Sequence, residues 1–189
     1  MATGCRQPGN TRDRLMKQTL NPSVQQLIDR LRLVPHPEGG FYRETHRSPL
    51  EIESPRHGGM RHAFTSIHFL LAGGQYSAWH RVASEESWFF HQGCDLEVHS
   101  LLPFTDTQTP VVQTQRIGAA CGRFELTIPA NCWFAAEPVD ADSYTLVSCV
   151  VAPGFVFEDF ELASRQHLID ARYHQTHQWP MIESLLVSK

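Results

Sequence analysis

The sequence predicts an all-β protein, a sandwich or barrel with a helix at each end. Three observations carry this. From Gly40 onward, β-branched and aromatic residues gather in short runs broken by Gly, Pro, Asp and Ser. Ahead of them Val24, Leu27, Ile28, Leu31 and Val34 recur at helical spacing. Behind them, from Glu161 to Gln178, Leu162, Leu168, Ile169 and Ala171 read as helical.

Taken in order, residues 1–20 read as a flexible leader whose basic side chains Arg6, Arg12, Arg14 and Lys17 are solvated. Asn21 is placed as an N-cap, with Pro22 at the first position of a helix over 22–33. Pro35 and Pro37 end that helix. Strands are expected at Gly40–His46, His62–Leu71, Gln75–Val82, Ser87–His91 and Leu96–Leu102. Further strands are expected at Val111–Ile117, Phe124–Ile128, Cys132–Ala136 and Thr145–Val151. Residues 21–163 then form one domain and 164–189 a helical extension, with His174, His177 and Trp179 in a polar tail. Gly39-Gly40 and Gly73-Gly74 precede neither Lys-Ser/Thr nor a helix, so they are tight turns and not phosphate loops.

Bulk properties narrow the partners. A net charge of −4 over 189 residues leaves no basic footprint for nucleic acid. No apolar run approaches the ~20 residues of a membrane span, and the N-terminus lacks the apolar core of a secretory signal. Five cysteines without a CxxC pair point to reduced thiols and a cytoplasmic setting.

Two segments carry chemistry. In Gly74–Gly93, His80 and Glu86 are bracketed by glycines; in Ile128–Phe134, Cys132 and Phe134 share a face. Gly74, His80, Glu86 and Gly93 stand at the spacing of the first motif of the cupin superfamily, which the chain resembles. The second histidine of that motif is Val82 here, and the histidine of the second motif is Phe134. The blocks His36-Pro37-Glu38-Gly39-Gly40-Phe41-Tyr42-Arg43-Glu44-Thr45, Ser66–Leu71 followed by Trp79-His80-Arg81, Trp133–Ala136 and Val151–Phe160 are similar to a single-domain cupin subfamily catalogued as a domain of unknown function, family 985. The resemblance covers roughly residues 23–163. It implies a double-stranded β-helix, the cupin jelly roll, with the N- and C-terminal helices packed outside the barrel.

Strand alternation puts Tyr76, Ala78, His80 and Val82 on one face and Glu86, Trp88 and Phe90 on another; by the resemblance these faces are interior. Buried Glu86 needs a partner, and His80 is the expected one. Either the two only satisfy each other in the core, or they centre a small-molecule pocket. Three chemistries stay open. A metal would need about three protein ligands, whereas the motif positions supply His80 and Glu86; Cys132 is a replacement thiolate or a small buried hydrophobe, His68 and His99 have no assigned face, and His91 should point away from the side of Glu86 and Trp88. No metal or other cofactor is therefore expected. Metal-free acid–base chemistry would use His80 as base, Glu86 as its orienter and Tyr76 or Tyr144 as acid, as the resemblance to nucleotide-sugar epimerases implies. A binding module would stack a ring on Trp88 or Phe90 and hold a phosphate or carboxylate through Arg43 or Arg61, with Ser66 and Phe134 also counted among the ligand-binding residues. The favoured ligand is a small polar metabolite, a nucleotide diphosphate or nucleotide-sugar, and the favoured assembly a homodimer covering an open sheet edge.

Overall fold

The computed structural model describes residues 22–102, 104 and 110–187. The leader 1–20, Asn21 and Cys5 lie outside them. Two antiparallel sheets face each other. One has six strands in the order β1 (Val34–Pro35), β2 (Phe41–Arg47), β5 (Thr65–Ala72), β12 (Tyr144–Ala152), β7 (Glu85–Gly93) and β10 (Glu125–Ile128). The other has five, β13 (Phe160–Leu162), β6 (Ser77–Val82), β11 (Phe134–Pro138), β8 (Leu96–Leu101) and β9 (Val112–Ile117). This is the expected double-stranded β-helix. Most of these strands read in the sequence as short β-branched or aromatic runs whose alternate residues turn inward. The inner faces supply the core of Phe69, Leu71, Trp88, Val98, Phe134, Val147 and Cys149.

Helix α1 (Pro22–Leu31) lays Val24, Leu27, Ile28 and Leu31 against Leu70, Ala72 and Leu146, outside the six-stranded sheet. The C-terminal region covers the other sheet, and here the expectation of one helix over 161–178 fails. Phe160 and Leu162 alternate, and β13 pairs antiparallel with β6 through Phe160↔Val82 and Leu162↔His80. Helix α2 (Arg165–Asp170) starts only after Ser164, whose hydroxyl accepts from the His167 amide in a capping box. Arg172, with φ 66°, breaks the chain direction. The expected polar tail instead forms α3 (Trp179–Ser184), which buries Ile182 and is followed by buried Leu185. The Trp79 indole N–H donates to Ile182 O at 2.8 Å, and the Trp79 amide donates to Leu185 O, tying the tail to β6.

One more hairpin went unforeseen. β3 (Glu51–Ser54) and β4 (Gly59–His62) pair outside both sheets, and their polar, largely exposed sequence gives no apolar alternation to read. Arg61 donates to both carboxylate oxygens of Asp159, at 3.1 and 3.3 Å, and so anchors the hairpin to the turn before β13.

A bulge in β6 changes the expected facing at the site. β6 and β11 pair through Phe134↔His80 and Ala136↔Ser77, so three steps of β6 oppose two of β11. Ser77 and His80 therefore both point inward. Tyr76, expected on the His80 face, packs instead against the C-terminal cluster of Trp79, Ile182 and Leu185.

Candidate active site

The site grows from the turn before β2. His36, Pro37, Glu38, Gly39 and Gly40 close on themselves through His36 N→Gly40 O and Gly39 N→His36 O bonds of 3.0 and 3.1 Å. Gly39 has φ 114°, and a Cβ there would stand 2.1 Å from Tyr76 O. Only glycine fits this approach. The turn thereby lies against β6, where Ala78 N donates to Glu38 O, and it pushes the Glu38 side chain into the barrel. Inside, Ser77 Oγ donates to Glu38 Oε1 at 2.9 Å, while Glu38 Oε2 lies 3.3 Å from His80 Nε2 and 3.4 Å from His36 Nδ1.

His80 is 1 % exposed and packs on the Phe134 ring, with centroids 4.0 Å apart. Its Nδ1 lies 2.7 Å from Ala78 O. A carbonyl only accepts, so Nδ1 carries the proton and the neutral ring turns a lone pair at Nε2 toward Glu38. Glu86 enters from β7. Its Oε1 accepts from the Trp88 indole N–H at 2.9 Å, and the Cys149 thiol bonds the same carboxyl. The expectation that His80 would be the partner of Glu86 is thus corrected. Glu38 faces His80, and Trp88 and Cys149 face Glu86, because the turn brings in a second carboxyl that strand alternation around His80 does not predict.

Burial sets the charges. It drives His80 from 6.5 down to about 3 and His36 to about 4, so both imidazoles are neutral at physiological pH. It lifts Glu86 to about 7. Burial and the Glu86 charge together push Glu38 well above the ordinary carboxylate range. Glu38 is therefore a neutral acid facing a neutral base, beside a second carboxyl poised near neutrality.

Of the residues singled out in the sequence, His80, Glu86, Trp88 and Phe134 come together in the barrel. Tyr76 donates its hydroxyl to Leu186 O at 3.0 Å and is withdrawn from His80 by the bulge. Tyr144 packs in the cluster under α1. Arg43 and Ser66 lie on the outer face of the six-stranded sheet, because Tyr42 and Ile67 take the inward positions beside them. Arg43 is paired across from His68, and Ser66 Oγ bonds Thr45 Oγ1. Cys132 bonds the Leu101 and Trp133 carbonyls, and burial keeps its thiol protonated. Sequence reasoning missed Glu38, His36 and Tyr42, whose ring meets His36 edge-on at 4.5 Å. The signal was present in the His-Pro-Glu-Gly-Gly block, where two glycines next to a His and a Glu mark a backbone approach that carries polar side chains inward with it.

A cavity of about 220 Å³ abuts the cluster, lined among others by His36, Glu38, Gly39, Gln75, Tyr76 and Ala78. A larger groove of about 710 Å³ lies between β13 and the C-terminal helices, but no buried titratable group lines it. The smaller space is the one bordered by buried Glu38 and by His36.

Comparison with known proteins fixes the ancestry. The profile of the family described as Cupin superfamily (DUF985) matches residues 25–163. An uncharacterized protein of Saccharomyces cerevisiae, YML079W, is 30% identical over 160 residues, covering 72% of this chain and 73% of its own. Two solved structures are similar along nearly their whole length. A hypothetical protein from Leishmania major (32% identity, TM-score 0.74) and protein SO0799 from Shewanella oneidensis (33%, 0.74) each match 87% of this chain and 98% of their own. The blocks around Glu38, His80, Glu86 and Phe134 all fall inside the matched span, and the chain belongs to the DUF985 family of the cupin superfamily.

Proposed function

We propose that the barrel binds a small polar metabolite and moves a proton on it without a metal, the chemistry of an isomerase or epimerase. The observation that supports this is the 3.3 Å approach of Glu38 to His80, with burial holding one as an acid and the other as a neutral base. Titratable groups whose surroundings drive them apart are the mark of acid–base assignments. In this reading Glu86, partly ionised near neutral pH, takes a proton from substrate, and protonated Glu38 returns one. His80 Nε2 accepts from the Glu38 hydroxyl and holds it in line. Tyr42 stands against His36, while Tyr76 lines the cavity with its hydroxyl held by Leu186 O.

The ligand is smaller than a nucleotide-sugar. A space of about 220 Å³ falls below the ~300–1,000 Å³ of sites for larger ligands. Of the two arginines expected to hold a phosphate, Arg43 faces the opposite side of its sheet and Arg61 is engaged by Asp159. A hydroxylated carbonyl compound of monosaccharide size fits this chemistry. The homodimer is carried forward on a separate feature: beyond the two-residue β1, strand β2 is the edge of the six-stranded sheet, and pairing two such edges would cover it.

A thermal-shift screen of metal-stripped protein tests the reading. Free sugars, sugar acids, nucleotides and nucleotide-sugars are the arms. A ligand at a hundred times its Kd adds ~2.7 kcal/mol. A rise with a small sugar that disappears in Glu38→Gln supports the site; a rise with nucleotides that survives Glu38→Gln moves the ligand elsewhere and refutes it.

A further inference from the structure

The outer face of the five-stranded sheet carries a second cluster. Glu97 and His99 alternate outward on β8, and Glu137 stands opposite Glu97 on β11. Ligand atoms of the three lie within 4.8 Å of one another. His99 is only 4 % exposed, held beneath the edge of the C-terminal cover with its ring 6.5 Å from that of Trp79. Its Nδ1 meets Thr114 Oγ1 at 2.8 Å, yet its Nε2 is buried with no hydrogen-bond partner. A buried ring nitrogen left so is uncommon and calls for a ligand.

Nε2 does have a neighbour: Glu137 Oε1 is 3.4 Å away but off the direction a hydrogen bond needs. That geometry suits two ligands of one ion. With Zn–N and Zn–O bonds near 2.0–2.1 Å and tetrahedral angles, neighbouring donor atoms stand roughly 3.3 Å apart. The third ligand is already oriented. Arg116 places both Nε and Nη2 on Glu97 Oε1, at 2.8 and 2.6 Å, leaving Oε2 outside that contact. Two carboxylates against one guanidinium leave the cluster net negative, and the Thr114 contact fixes the imidazole as a second-shell partner would.

We propose that Glu97, His99 and Glu137 form a divalent-cation site, with Zn²⁺ as its best-matched ion and one coordination position open to solvent. It is separate from the barrel cluster, on the opposite face of the same sheet.

The test is calorimetric titration of Zn²⁺ into tag-free, metal-stripped protein, with Co²⁺ absorption as the second readout. The wild type is expected to bind one Zn²⁺, and its Co²⁺ complex to show ligand-field bands with no thiolate charge-transfer band. Affinity is expected to fall at least tenfold in Glu137→Gln and in His99→Ala, and to be unchanged in His80→Ala. Because removing the buried imidazole opens a cavity, Glu137→Gln, at a partly exposed side chain, decides the matter where His99→Ala does not fold. No Zn²⁺ binding by the wild type, full affinity in Glu137→Gln, or loss in His80→Ala would each overturn the site.

Discussion

Replacing Glu86 by Gln isolates the cost of burying a carboxyl in the barrel. Glu86 rises from 4.5 to about 7 on folding, chiefly through burial. Between those values the folded protein holds a proton that the unfolded chain has lost. The stability this group contributes is therefore complete below pH 4.5 and is lost as pH climbs through 7. The loss amounts to about 3 kcal/mol. Gln keeps an acceptor for the Trp88 indole and cannot ionise. It also removes the charge that helps to push Glu38 up, an effect of the same sign. His36 and His80 titrate with the opposite sense, since folding depresses them and stability grows as pH rises from about 3 to 6.5. They are common to both proteins, so the difference between wild type and Glu86→Gln reports the carboxyls alone. Urea and thermal unfolding at pH 4 and pH 8.5 supply the assay. The variant should match the wild type at pH 4 and exceed it at pH 8.5 by about 3 kcal/mol, or roughly 6–12 °C in Tm. Parallel profiles at every pH would refute the buried-acid reasoning.

Two further outcomes follow from the scaffold. Gly39→Ala places a methyl 2.1 Å from Tyr76 O at a φ of 114°, so it should cost roughly 2 kcal/mol or more and weaken ligand binding through displacement of Glu38, read by urea unfolding and the thermal-shift screen. Trp79→Phe removes the 2.8 Å indole bond to Ile182 O and leaves that carbonyl only the longer 3.4 Å bond from Leu185 N; about 1 kcal/mol should be lost, and limited proteolysis should release the segment after α2 first.

Much of the fold was legible because its strands are short, amphipathic and punctuated. The nine strands expected from the sequence each overlap an observed one, since inward residues such as Phe69, Trp88 and Val98 sit at alternate positions of short β-prone runs. What escaped had physical causes. The β3–β4 hairpin buries too little to leave an apolar pattern. β13 is three residues long, and its pairing to β6 is a tertiary event that Leu162 alone does not announce. At the site, His80, Glu86, Trp88 and Phe134 were visible from motif spacing and alternation. Tyr76 was misplaced because one bulge between Ser77 and His80 inverts the facing of everything before it. Glu38 was overlooked because its entry into the barrel depends on a long-range contact, the Gly39 turn against Tyr76 and Ala78, rather than on any local period.

In the proposed function, Glu38 and His80 support proton transfer in a metal-free pocket. The most direct test is deuterium uptake. Metal-stripped protein is incubated in D₂O with the sugars that shift its melting temperature, and loss of each C–H signal is followed by proton NMR. Exchange is expected at a single carbon next to a carbonyl, at least a hundredfold slower in Glu38→Gln and slowed in His80→Ala, with no requirement for added metal. A ligand that binds tightly in the barrel yet never exchanges a proton, or exchanges only when a metal is restored, would contradict it.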